Sequence, residues 1–261
     1  MTTFIIAEAG STWRIGKNQI RHLAYACEAI RVAKDCGADA CKFQWTSDPA
    51  MMEQRRKVPV GSYEILAWPK KWLRVLAAEC EDAGIEFMCT VFLVKDVPMI
   101  APLVKRFKVA SLEADDKVLI ETCRQYGKPI IVSSGCSDHC QPKDIITLQC
   151  TAAYPAPLAA LNLDVLRDEP FESGSPFDGL SDHSGDTLTG ALAVACGAEI
   201  VEVHFRLFDT PTDNPDYKHS HDAASLKQYI ANIRKAELML GDGVKKVEKC
   251  EEPMLKHRVM P

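Results

Sequence analysis

A chain of 261 residues that is 47% hydrophobic and 26% charged can bury one sizeable core, and a net charge of −5 with no long basic run excludes a non-specific nucleic-acid binder. No stretch approaches the ~20 apolar residues of a membrane span, and the N-terminal MTTFIIAEAG has no charged region of the secretory kind. The 11 cysteines are odd in number and scattered through apolar segments, as small core residues of a reducing, cytoplasmic compartment are.

The chain repeats one sentence: amphipathic helix, glycine, polar step, apolar strand. Residues 4–10 (FIIAEAG) open it as a strand. Ile20, Leu23, Ala24, Cys27, Ile30 and Ala33 then keep helical spacing up to Gly37, and 40–45 (ACKFQW) is the second strand. Residues 46–68 are long and polar, with Arg55-Arg56-Lys57 inside and Trp45 and Trp68 at the ends, which predicts an active-site loop. Trp72, Leu73, Leu76, Cys80 and Ala83 mark a helix ending at Gly84, before the strand 86–92. The strands 107–111, 129–135, 144–150, 178–183 and 200–205 follow, with Gly127 and Gly197 as further helix C-caps. Only eight residues, CSDHCQPK, separate the fifth and sixth strands, too few for an ordinary helix. Cys136, His139 and Cys140 within them suggest part of a zinc site, but a fourth ligand at a recognisable spacing is missing.

Eight near-continuous apolar strands alternating with helices predict a (β/α)8 TIM barrel forming a single domain over 1–261, with the helix between strands five and six shortened or missing. A doubly wound open sheet is the competing fold; AEAGSTWRIG does not carry its GxGxxG spacing. Barrel chemistry sits at the C-terminal strand ends. Those ends carry Glu8, Lys42 and Gln44, Thr90, Lys108 and Ser111 with Glu113 beyond, Ser133 and Ser134, Thr151, Ser181 with Asp182 and His183, and Glu202 with His204. Two lysines among hydroxyls suit a phosphate or carboxylate ligand. His183 and His204 on neighbouring strands could share a divalent metal, with Glu8 or Asp216 nearby.

Taken together, IAEAG, KFQ, FKVAS followed by LE, KPIIVSSG, CTAAYPAP, GLSDH, GAEIVEVHF and PD-x-x-x-S resemble, in order, the sialic acid synthase family over residues 4 to about 258. The resemblance implies a barrel enzyme, a transferase that condenses phosphoenolpyruvate with an aldehyde, an N-acetylated sugar or a related acceptor, releasing phosphate and a 2-keto acid. It implies His183 and His204 as ligands of a divalent metal, Mn2+ or else Mg2+ or Co2+. Lys42, Thr90, Lys108, Ser111 and Ser181 would contact phosphoenolpyruvate, with Tyr154 close by. Glu8 would be the acid/base, Glu113 would contact the acceptor, and Asp216 would serve as a metal-side carboxylate. Competing readings are another phosphoenolpyruvate or keto-acid lyase or aldolase on the same barrel, and a non-catalytic barrel subunit.

The chain departs from the family pattern at named places. Thr12-Trp13 replaces Asn-His, Gln149 replaces His, Ala152 replaces Asn, Val203 replaces Lys, and PDH reads Pro215-Asp216-Tyr217. The family's C-terminal antifreeze-like domain has no counterpart before residue 261. The resemblance therefore predicts a mouth covered by the 46–68 loop, by a homo-oligomer or partner chain, or by a bulky acceptor, and no membrane or nucleic-acid partner.

Overall fold

The structure is a computed structural model and describes residues 2–16, 19–138, 141–167 and 175–259. Eight strands, β1 (Phe4–Gly10), β2 (Ala40–Gln44), β3 (Glu86–Val91), β4 (Phe107–Val109), β5 (Ile130–Ser133), β6 (Ile146–Cys150), β7 (Gly179–Asp182) and β8 (Ile200–His204), pair in parallel in chain order. β8 returns to β1, matching Glu8 with His204 across the seam, and the barrel closes. An open doubly wound sheet is thereby ruled out.

The helices α1 (Gln19–Cys36), α2 (Pro49–Arg56), α3 (Lys71–Ala83), α4 (Val97–Ile100), α5 (Lys117–Arg124), α6 (Thr189–Ala195) and α7 (Ala223–Leu240) surround it. Outward residues of the strands (Ile5, Ala7, Cys41, Phe43, Phe87, Val109, Val132, Val201) pack on these helices as the main core. Inward residues Ile6, Ala40, Met88, Ile131, Leu148 and Ile200 form a second, smaller core inside the barrel. This is the period-2 division of a strand buried on both faces. α3 ends as the sequence predicts: Gly84 takes φ +66°, and its N–H reaches the carbonyls of Cys80 and Glu81.

Among the described residues no helix stands between β5 and β6. The gap leaves an apolar groove of about 810 Å³ between α5 and residues 141–145, outside the barrel and sharing no residue with the strand ends. Among the described residues between β6 and β7 only 3-10 turns, Leu158–Ala160 and Leu163–Leu166, are found. His139 and Cys140, on which the zinc suggestion depends, lie outside the described residues, as does the side chain of Ile20. No helix among the described residues is long and apolar enough to cross a membrane.

The 46–68 segment is not simply a loop, because it contains α2. The reason is local: Asp48 caps the helix by accepting from the Met51 N–H at 2.9 Å, Pro49 pre-sets the first turn, and Lys57 closes it in the left-handed region. Its two ends are fastened to each other. Trp45 Nε1 donates to the Trp68 carbonyl at 2.9 Å, and Trp68 Nε1 donates to the Gln44 carbonyl at 3.0 Å. Buried Asp96 takes hydrogen bonds from the Ser47 N–H at 3.1 Å and the Ser47 hydroxyl at 2.5 Å.

Candidate active site

One pleat above the small inner core the barrel lining changes character. Glu8, Lys42, Thr90, Lys108, Ser133, Ser181, Glu202 and His204 all point inward and are at most 5% exposed. Above them a cavity of about 220 Å³ opens at the C-terminal mouth. Its walls include Lys42, Thr90, Lys108, Ser111, Ser133, Tyr154, Ser181, His183, Glu202, His204 and Asp216. Nearly all of the residues selected from the sequence are brought together. Glu8 and Glu113 do not line it but are paired with residues that do, Glu8 with Lys42 and Glu113 with Arg56.

The charge pattern is a chain of four groups. Lys42 pairs with Glu8 and lies 3.5 Å from Glu202, which lies 3.4 Å from Lys108 on its other oxygen. Hydroxyls complete the set: Lys42 Nζ donates to Thr90 at 2.9 Å, Lys108 Nζ donates to Ser133 at 2.7 Å, and Ser181 donates to Glu202 at 3.0 Å. Burial pushes Glu8 up to about 7; Lys42 opposes this, while the charges of Glu202 and Asp216 add to it. Burial would raise Glu202 too, but the two lysines outweigh it and hold that carboxyl below its usual value. The two carboxylates titrate as a unit, with the proton favouring Glu8. Burial lowers Lys108, whereas at Lys42 the attraction of Glu202 and Glu8 outweighs burial and raises it. An anion entering this pocket meets two ammonium groups already fixed by their partners.

The histidines form the opposite wall. The rings of His183 and His204 have centroids 5.2 Å apart, and Tyr154 lies on His183 at 4.4 Å. His183 Nδ1 is 3.1 Å from the Thr151 carbonyl, which makes it the donor and leaves Nε2 with its lone pair. Burial pushes His183 down to about 4 and lowers His204 and His219 as well, so all three are neutral and able to ligate at pH 7. His204, Asp216 and His219 bring ligand atoms within 4.8 Å of one another. This set fits a divalent cation. Gly10 makes room for it: φ is +49°, and a Cβ there would lie 2.6 Å from Asp216 Oδ2.

At the outer rim Arg56 of α2 grips Glu113 through both Nε and Nη2, at 2.6–2.9 Å. It also donates to the Tyr63 hydroxyl at 2.7 Å and lies over the rings of Tyr63 and Phe92. Glu113, selected as an acceptor contact, is thus neutralised and covered, and Arg56 is the group presented to the cavity. Arg55 is engaged with Asp116. Three of the residues that depart from the family pattern are absorbed structurally. Trp13 is fully buried against Phe43, Trp68 and Trp72, Thr12 donates to the carbonyls of Ala9 and Phe205, and Gln149 donates to the Leu161 carbonyl.

Two site residues are not singled out by the sequence. Arg56 is there only one of three loop cations, and nothing in the order of residues ties it to Glu113. His219 occupies an open position of PD-x-x-x-S. It does carry a signal, since an imidazole three places after a candidate carboxylate can share a turn with it.

The NeuB family profile matches residues 29–245. The N,N'-diacetyllegionaminic acid synthase of Legionella pneumophila is 31% identical, over 97% of this chain and 78% of its own. The pseudaminic acid synthase of Campylobacter jejuni serotype O:23/36 is 32% identical, over 98% of this chain and 79% of its own. Among solved structures, the N-acetylneuraminic acid synthetase of Leptospira borgpetersenii, in complex with citrate, superposes with a TM-score of 0.79 at 25% identity, covering 99% of this chain and 92% of its own.

Proposed function

The chain belongs to the NeuB family, and we propose from this that it is a sialic acid synthase-like transferase joining phosphoenolpyruvate to the aldehyde of a sugar or related acceptor. The observation that carries the reading is the pair Lys42 and Lys108, buried on alternate strands and both within 3.5 Å of Glu202 at the floor of the cavity. Such a floor suits a small ligand with two anionic groups.

In the reaction C3 of phosphoenolpyruvate attacks the aldehyde carbon, whose oxygen becomes a hydroxyl on taking a proton. Water adds at C2, and the C2–O bond to phosphate breaks. The products are a 2-keto acid and inorganic phosphate. Lys42 and Lys108 hold the carboxylate and phosphate, and Thr90, Ser111 and Ser181 complete the anion contacts. Fixed donors of this kind need no reorganisation as charge moves. Glu8, with its proton balanced near neutrality, supplies or accepts the proton through the Lys42–Glu202 chain. Tyr154 lines the same cavity and packs on His183. Arg56, held by Glu113 and Tyr63, faces the acceptor.

His183 and His204, with Asp216 beside them, would hold a divalent metal, and a metal there supplies Lewis-acid polarisation of the aldehyde oxygen. We place the protein in the cytoplasm, consistent with its ten described cysteines all being free thiols. A second copy or a partner chain would cover the mouth over α2. The test is phosphate release from phosphoenolpyruvate over a panel of aldehydes, with and without divalent metal. Acceptor-dependent release with formation of a 2-keto acid supports the reading. Release without an acceptor, or none with any aldehyde, favours a lyase or a non-catalytic barrel.

A further inference from the structure

We propose that the metal seat of this chain is built on three imidazoles, with His219 a direct ligand beside His204 and Asp216, and that it favours nitrogen-preferring ions of the Co2+ and Zn2+ kind over Mn2+. The inference rests on the metal reading above and goes beyond the His183–His204 pair.

Three observations converge on His219. It is 1% exposed, yet neither ring nitrogen has a hydrogen-bond partner. Its nearest charged neighbour, Asp216 Oδ1, is 3.7 Å from Nε2, too long for a hydrogen bond. Burying both nitrogens of an imidazole unpaired is costly. A cation among His204, Asp216 and His219 removes that cost at the ring nitrogen that binds it. His204 Nδ1 is likewise buried and unpartnered.

The carboxylate is held as a ligand needs to be. Asp216 Oδ2 accepts from the Ser11 N–H at 2.8 Å and the Ser11 hydroxyl at 2.6 Å, and this leaves Oδ1 on the His219 side. Outer contacts of this kind fix a ligand's orientation. The turn that joins the two is tight. Asn214 Oδ1 accepts from the Asp216 N–H at 2.9 Å, and the Ser220 hydroxyl donates to the Asp216 carbonyl at 2.5 Å. Residues three apart therefore face the same way. His221, two places on, packs instead on Tyr229 at 5.1 Å, away from the cavity. The rings of His204 and His219 are 4.6 Å apart, closer than those of His204 and His183 at 5.2 Å, and His183 stands 5.9 Å from His219. The set within 4.8 Å is two nitrogens and one oxygen, and His183, with Nδ1 turned to the Thr151 carbonyl, would supply a third nitrogen from its other side. Manganese and magnesium favour oxygen donors, whereas imidazoles favour later ions of the series.

The test is calorimetric titration of the metal-free protein with Co2+ and with Mn2+, for wild type, His219→Ala and the neighbouring control His221→Gln. Wild type is expected to bind Co2+ at least about 30-fold more tightly than Mn2+, and His219→Ala to lose at least about 30-fold in Co2+ affinity, while the control stays within about 3-fold. X-ray absorption of the Co2+-loaded wild type, which does not depend on any variant folding, is expected to count three imidazoles. Two imidazoles, or unchanged Co2+ affinity in His219→Ala, would overturn the inference. If wild type still releases phosphate from phosphoenolpyruvate with an acceptor in that case, the function proposed above stands without it. A wild type that binds neither ion removes the metal reading and this inference together.

Discussion

Two layers of the same barrel lie one pleat apart and do opposite things. The lower is Ile6, Ala40, Met88, Ile131, Leu148 and Ile200; two residues further along the same strands come Glu8, Lys42, Thr90, Ser133, Cys150 and Glu202. Both layers are buried, and the step between them is about 6.6 Å. The lower layer stabilises by excluding water from hydrocarbon. The upper one, which Lys108 of β4 completes, takes two lysines and two glutamates out of water, each at several kcal/mol that their mutual attraction only partly offsets. Burial alone therefore does not make a core. On the function proposed above the upper layer serves what it binds, and the layer beneath supplies part of the stability that makes it tolerable.

That contrast can be broken or sharpened by substitution. Met88→Ala should have the largest effect on folding, a loss of about 2–5 kcal/mol in denaturant unfolding, because it opens a cavity in the lower layer. Its phosphoenolpyruvate affinity should stay near that of the parent; a collapse of affinity would show that the layers are not separable. Glu8→Gln should act through pH. The folded-state value of Glu8 is raised from 4.5 to about 7, so its contribution to stability is full below about pH 4.5 and is lost as pH rises through about 7. The depressed histidines act in the opposite direction over part of this window. The informative quantity is thus the difference between variant and parent, which should move toward the variant by about 2–3 kcal/mol between pH 4.5 and 7.5. Parallel stability curves would contradict the buried, proton-sharing Glu8. Tyr63→Phe, at the rim above both layers, should cost only about 1 kcal/mol, raising the acceptor KM several-fold without altering phosphoenolpyruvate binding. A change in the phosphoenolpyruvate KM instead would place Arg56 on the anion rather than the acceptor.

The upper layer is largely legible in the order of residues, because a charged group inside an apolar strand run must find a buried partner or a ligand. Lys42 in ACKFQ and Lys108 in FKV announce themselves in this way, and the eight runs fix the barrel. The rim is less legible. Its contacts join residues far apart in the chain, such as Arg56 to Glu113, 57 positions away. α2 is hidden by its polar composition, although Asp48-Pro49 is a helix-start signal. The absence of a helix between β6 and β7 among the described residues follows from Pro155 and Pro157 just past β6, which oppose one. His219 is harder to read for a different reason: its position in PD-x-x-x-S is open, and the one signal it carries is its place three residues after Asp216.

The most direct test of the upper layer as the proposed anion site is calorimetric titration of phosphoenolpyruvate into wild type and Lys108→Met, with thermal unfolding followed on both. Lys108 is buried and lies 3.4 Å from Glu202, and burial already favours its neutral form. Replacement by an apolar side chain of similar length removes one of the two lysines beside Glu202 and leaves Lys42 as the other, so the protein should still fold, with its midpoint lowered by several degrees. Phosphoenolpyruvate affinity should fall at least about 100-fold, the loss of one charge-assisted contact in a desolvated pocket. Equal affinity in the two proteins would contradict the assignment of this layer as the anion site.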